Sequence, residues 1–134
     1  MKQKKFYHAV PFMPVRNLQE TINFYKEKLG FYNEWFWKDT DAGMQRDNFP
    51  VLFTLSPAFV LDVNKRAHSF EIMWFVDNVD AIYEEYKGKE LSIFKDLIEE
   101  PWGVKEFGIE DVNGYRIRIA EHIVGNEGHS VMEL

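Results

Sequence analysis

The chain has 134 residues, 46% of them apolar and 16% aromatic, which is enough for one domain with a hydrophobic core and too much for a disordered segment. Its 16 basic and 22 acidic residues leave a net charge of −6 with no basic stripe, so an extended phosphate backbone would be repelled and nucleic acid is not an expected partner. The absence of cysteine removes disulfides, thiolate nucleophiles and zinc ribbons, leaving His, carboxylate, Arg, Tyr and backbone groups to carry any chemistry.

Lys2, Lys4 and Lys5 lead into Pro11 and Pro14 rather than into an apolar signal core, and no run approaches the roughly 20 apolar residues that span a membrane. A cytoplasmic protein without a membrane partner is the expectation. Ala9 to Pro14 reads as a strand, at an edge or irregular because of its two prolines. A helix follows: Asn17 is its N-cap, Glu20 completes a capping box, Leu18, Ile22, Tyr25 and Leu29 recur at helical spacing, and Gly30 stops it. Strands are expected at Phe31 to Trp37, Ala42 to Arg46 and Val51 to Leu55, and then a linker over 57–69.

From Phe70 the same order begins again. An apolar run reaches Val76, Asn78 caps a helix carrying Val79, Ile82, Tyr83 and Tyr86, and strands are expected at Ser92 to Leu97, Val104 to Glu110 and Tyr115 to His122. Laying Val15 on Val76 brings Asn17 onto Asn78, Tyr25 onto Tyr86, Lys26 onto Lys87 and Lys28 onto Lys89. An internal duplication accounts for both the matches and the repeated order. Module one then covers about 6–56 and module two about 70–122 of a single domain, and 123–134, with Gly125 and Gly128, is a tail or an arm that reaches a partner.

The last two strands define a hairpin. Phe107 and Ile109 alternate with Glu106, Gly108 and Glu110 on one arm, and Tyr115, Ile117 and Ile119 with Arg116 and Arg118 on the other. The apolar residues share a face only if the loop has an odd number of residues, which excludes a two-residue Asn-Gly turn and points to a three-residue loop, Val112 to Gly114. A type I turn followed by Gly114 in the left-handed region fits it. Ile109 then faces Ile117 and Phe107 faces Ile119, while the opposite face sets Glu110 against Arg116 and Gly108 against Arg118.

The two βαβββ modules, with the start VPFMPVRNLQETINFYKEKLGF and the Glu100-Pro101-Trp102-Gly103 run leading to Phe107, resemble the vicinal oxygen chelate superfamily over Val10 to Glu121. That superfamily includes glyoxalase I, extradiol dioxygenases, and the fosfomycin- and bleomycin-resistance proteins. The likeness is strongest to the bleomycin-resistance branch, through Ala42-Gly43 before Arg46-Asp47, Trp74 ahead of the second helix, and Trp102. Val112 stands where the family commonly has proline, which costs the turn some rigidity. The resemblance implies an α+β fold in which the modules' strands curve into a cleft with helices outside, and a homodimer. Metal enzymes of the family would place ligands at Val10, about Phe53, Glu71 and Arg118; of these only Glu71 could bind a metal, so no metal and no cofactor is expected.

Arg118 and Glu71 are expected on opposite walls of that cleft, able to pair with each other or to hold a charged ligand. Phe12, Met73 and Phe75 have the parity to line its floor or to pack in the core, Trp102 hangs over its mouth or packs inside, and Arg116 joins Arg118 on the charged face. Glu106 and Glu110 add negative potential there. The function this implies is metal-independent binding or sequestration of an aromatic or cationic small molecule in a dimer cleft, with no catalytic residue. The alternative is a glyoxalase-like lyase or dioxygenase with a displaced metal set, His8, Glu71 and His122. His68 and His129 fall in the linker and tail, and no serine has a supporting base.

Overall fold

Two helices start where an asparagine can cap them. In this computed structural model, which describes residues 2–66 and 70–123, the Asn17 side chain accepts the Glu20 N–H at 2.8 Å and opens α1 (Leu18–Glu27). Asn78 does the same for Ala81 at 3.1 Å and opens α3 (Val79–Lys87). Each cap satisfies a first-turn donor that has no intrahelical acceptor. The remaining elements are β1 (Phe12–Val15), β2 (Tyr32–Trp37), β3 (Asp41–Arg46), β4 (Phe49–Leu55), α2 (Pro57–Asn64), β5 (Glu71–Phe75), β6 (Ser92–Glu100), β7 (Val104–Glu110) and β8 (Arg116–His122).

The strands form two sheets of the same topology, β1-β4-β3-β2 and β5-β8-β7-β6. In each, the first strand runs parallel to the last strand of its module, and the other pairs are antiparallel. This is the α+β fold of tandem βαβββ units. One face of each sheet packs into a shared core that holds Met13, Val15, Phe53, Trp74, Ile117 and Ile119 together with Tyr25 of α1 and Tyr86 of α3. No helix among the described residues is long and apolar enough to cross a membrane.

The hairpin has the expected register: Ile109 is paired with Ile117, Phe107 with Ile119, Glu110 with Arg116 and Gly108 with Arg118. Gly114 has φ +85°, and its N–H bonds the Asp111 carbonyl at 3.0 Å. A glycine is needed there, since side-chain-bearing residues adopt that conformation only under strain.

Three expectations need correction. The first strand begins at Phe12, not Ala9, and the segment before it has no regular secondary structure and is largely exposed. The stretch expected as a linker contains α2: Pro57 occupies its first turn, where no N–H is needed, and Val60 and Val63 are buried. Tertiary packing of those two valines stabilises a helix too short to stand alone. Strand β6 runs on to Glu100. His68, His129 and the tail from 124 lie outside the described residues.

The modules are joined by polar contacts at the equivalent tyrosines. Tyr25 Oη donates to Asp111 at 2.8 Å in the second module, and Tyr86 Oη donates to the Leu29 carbonyl at 2.7 Å in the first. Arg46 reaches Glu85 with two hydrogen bonds of 2.7 and 2.8 Å, and Asn113 accepts the Arg16 N–H at 3.0 Å.

Candidate functional site

The face of each sheet turned away from the core carries the residues of interest. In the first sheet the register sets Phe12 beside Leu52 and Gly43 beside both Leu52 and Trp35. Gly43 is buried because the indole of Trp35 lies on it, and a Cβ at that position would collide with the ring. Phe12 and Trp37 are 60% exposed and Trp35 45%. All six residues of β2 are exposed, since β2 is an edge strand of the sheet among the described residues. A patch of large aromatic rings open to water is uncommon on a chain that stays uncovered.

The second sheet repeats the device with different chemistry. Phe94 lies on Gly108, again so closely that a Cβ would collide with it, and the Arg116 guanidinium sits 4.7 Å from the Phe94 ring centroid. Around it runs an ionic network: Lys95 Nζ lies 2.7 Å from Glu100 and 3.0 Å from Glu106, Arg118 lies 3.7 Å from Glu106 and 3.8 Å from Glu71, and Arg116 lies 3.5 Å from Glu110. Glu106 is fully buried, and Lys95 and Arg118 flank its carboxylate. Its Oε2 accepts no hydrogen bond among the described residues. Burial lowers the Lys95 pKa, but its hydrogen bonds to the Glu100 and Glu106 carboxylates and their charges together outweigh that and raise it, which keeps the ammonium charged.

Each residue singled out from sequence can now be placed. Phe12 is on the first sheet; Glu71, Met73, Phe75, Glu106, Arg116 and Arg118 are on the second. Trp102 follows β6 at the turn into β7, 37% exposed, with the Lys95 ammonium 6.0 Å from its ring centroid. Phe75 stacks on His122 at 4.5 Å with the rings nearly parallel. Glu71 and Arg118 were expected on opposite walls, but they belong to β5 and β8 of one sheet and form an ion pair within it. The negative potential expected of Glu106 is offset, because the carboxylate is flanked by two cations.

The positions of a divalent site do not fit a metal. Phe53 points into the core and is fully buried, so the outward residue at that level of β4 is Leu52. Glu71 is paired with Arg118, whose permanent charge would oppose an ion. The displaced set is not assembled either: among the described residues no three His, Asp or Glu side chains gather in a way that could hold a metal, and His8 lies on the exposed N-terminal segment.

The high aromatic share leads one to expect Trp35 and Trp37 in the core or along a cavity, not on an exposed face, and sequence reasoning passed over Phe94 and Lys95. The signal for the first two was an aromatic run, Trp35-Phe36-Trp37, with no polar alternation, which a half-buried strand should show and an uncovered edge need not. For Phe94 the signal was Gly108, whose missing side chain leaves room for a ring from the neighbouring strand.

A family model described as Glyoxalase/Bleomycin resistance protein/Dioxygenase superfamily matches residues 5–119. No curated protein matches the chain in sequence. Among solved structures, a bleomycin-binding protein from bleomycin-producing Streptomyces verticillus, complexed with copper(II)-bleomycin, is 22% identical with a TM-score of 0.68, covering 87% of this chain and 97% of its own. A bleomycin resistance determinant encoded on the transposon Tn5 is also 22% identical, with a TM-score of 0.70 over 87% of this chain and 98% of its own. A glyoxalase/bleomycin resistance protein/dioxygenase from Nocardioides is 12% identical, with a TM-score of 0.70 over 99% of this chain and 92% of its own.

Proposed function

This chain belongs to the glyoxalase/bleomycin resistance protein/dioxygenase superfamily, and we propose that it acts there as a metal-independent binding protein that sequesters an aromatic or cationic small molecule in clefts formed by a homodimer. The observation that carries this reading is the pair of unlike outer faces, one with exposed Phe12, Trp35 and Trp37 and the other with Glu106 held among Lys95, Arg116 and Arg118. Brought together across two copies, the first face offers ring area for stacking and the second offers fixed charges of both signs. Such a cleft takes a planar ligand that carries polar or cationic groups. Glu71, Met73 and Phe75 would line its floor on the charged side, and Trp102 would stand at its edge.

Binding by bleomycin-binding proteins of the same fold supports this ligand class. The residues at the metal positions support independence from metal. Titration calorimetry with bleomycin and a panel of flat cationic compounds is expected to show saturable binding that is unchanged by added divalent metal and weakened at least tenfold in Trp102→Ala. Binding that requires metal, or none across the panel, would overturn the proposal. Sedimentation of the ligand-free protein is expected to give a dimer.

A further inference from the structure

A cavity of about 660 Å³ opens between the two sheets. It lies within the size range of sites that enclose small molecules. Phe31, Phe49, Ile72, Trp74, Tyr86 and Ile119 line it. Its aromatic wall is braced: Phe31, Phe49 and Trp74 form a closed triangle with centroid separations of 6.2, 5.5 and 5.3 Å, each pair tilted or edge-on. The Tyr86 hydroxyl is tied to the Leu29 carbonyl at 2.7 Å. Rings that hold one another in this way resist collapse, so the space persists although an empty apolar cavity costs stability.

The mouth is charged and one-sided. Asp47, on the turn between β3 and β4, and Asp77, just after β5, both line the cavity and are exposed. The Asp47 turn is fixed by a 2.8 Å bond from its N–H to Tyr32 Oη and a 2.9 Å bond from Gln45 Nε2 to its carbonyl. Arg46 also lines the cavity, but its guanidinium is committed to Glu85 and to the Leu29 carbonyl. His8 reaches the rim from the N-terminal segment.

We propose that this inter-sheet cavity is a second binding site, for a small amphiphilic amine whose apolar body packs against the wall formed by Trp74 and Phe49 and whose protonated nitrogen stays at the mouth with Asp47 and Asp77. The site differs from the outer faces in its lining: Met73 and Phe75 border both, but none of Phe12, Trp35, Trp37, Glu106 and Arg118 borders this cavity. Charge complementarity selects the occupant: an apolar chamber accepts the ring of an amine, an alcohol or an acid alike, and two carboxylates at its entrance favour the amine.

The test uses the full chain and two probes of nearly equal shape, 1-naphthylmethylamine and neutral 1-naphthalenemethanol, titrated by calorimetry. The amine is expected to bind at least about fivefold more tightly than the alcohol, and the double substitution Asp47→Asn with Asp77→Asn to bring it down to the alcohol's affinity. Ile82→Trp, which fills the cavity from α3, should abolish binding of both while Trp35→Ala leaves it intact. If Ile82→Trp does not fold, the paired aspartate variant decides alone, since both of its sites are exposed. Equal affinity for the two probes, no binding of either, or loss in Trp35→Ala rather than Ile82→Trp overturns the proposal. So does binding that appears only after residues 2–9 are deleted, because the N-terminal segment would then be the occupant.

Discussion

On the first sheet Trp35 covers Gly43 and stays 45% exposed on an edge strand, with Phe12 and Trp37 open beside it. On the second, Phe94 covers Gly108 beneath Arg116, and the neighbouring Glu106, Lys95, Arg118 and Glu100 are interlocked. The backbone solution is the same in both modules, a glycine that lets an aromatic ring from the next strand lie flat on the sheet. The chemistry built around it has diverged. In the second module the charged side chains pair mainly with one another, although Glu106 Oε2 and Arg118 Nε have no hydrogen bond among the described residues. In the first they leave apolar area for something else to cover, and its removal should be felt in binding rather than in folding.

That contrast has a direct test. Lys95→Met leaves the buried Glu106 with only the more distant Arg118, and should cost about 2–4 kcal/mol in urea unfolding. Trp37→Ala, at a position 60% exposed, should change stability by less than about 0.5 kcal/mol. Replacing both members, Lys95→Met with Glu106→Leu, should recover much of the loss, since the fully buried charge is then gone and only the partly exposed Glu100 has lost its partner. Equal effects of the two single substitutions would erase the distinction between the faces.

The equivalent tyrosines sharpen it at the seam. Tyr25→Phe removes a hydrogen bond to a buried carboxylate and should cost about 2 kcal/mol, whereas Tyr86→Phe should cost about 1, because the Leu29 carbonyl keeps its bond from Arg46. Burial pushes Asp111 up to about 6 from an ordinary 3.8, and the Tyr25 hydroxyl holds it down, so the variant's carboxyl should titrate higher still in a carbon-detected NMR titration. The linkage has a definite sign: between these values the unfolded chain has already released its proton and the folded chain has not. The stability Asp111 contributes is therefore present below about pH 4 and lost as pH rises through 6. Asp111→Asn should remove that part of the stability profile.

What could be read in advance follows from which interactions are local. The caps at Asn17 and Asn78 and the parity of Phe107, Ile109, Ile117 and Ile119 involve neighbours in sequence or a single turn, and each had the expected outcome. Helix α2 was not legible, because Pro57, Asp62, Lys65 and Arg66 read as a linker and the burial of Val60 and Val63 depends on a strand more than 40 residues away. The pairing of Glu71 with Arg118 in one sheet depends on the strand order β5-β8, which parity alone does not determine. The aromatic edge was obscured for a related reason: composition suggests that Trp and Phe are inside, and it is the edge position of β2 among the described residues that says otherwise.

The smallest expected effect separates the two glycines. A Cβ at Gly108 meets the Phe94 ring, which cannot lift without breaking its contact with Arg116, so Gly108→Ala should cost about 1–2 kcal/mol. A Cβ at Gly43 meets Trp35, whose half-exposed indole is free to swing toward solvent. The strand also gains from replacing glycine, by roughly 0.5 kcal/mol, so Gly43→Ala should be close to neutral in unfolding. The displaced indole should still weaken ligand binding several-fold, because the stacking surface has moved. A Gly43→Ala variant that unfolds early while binding normally would make the first face structural and the second the recognising one, reversing the assignment.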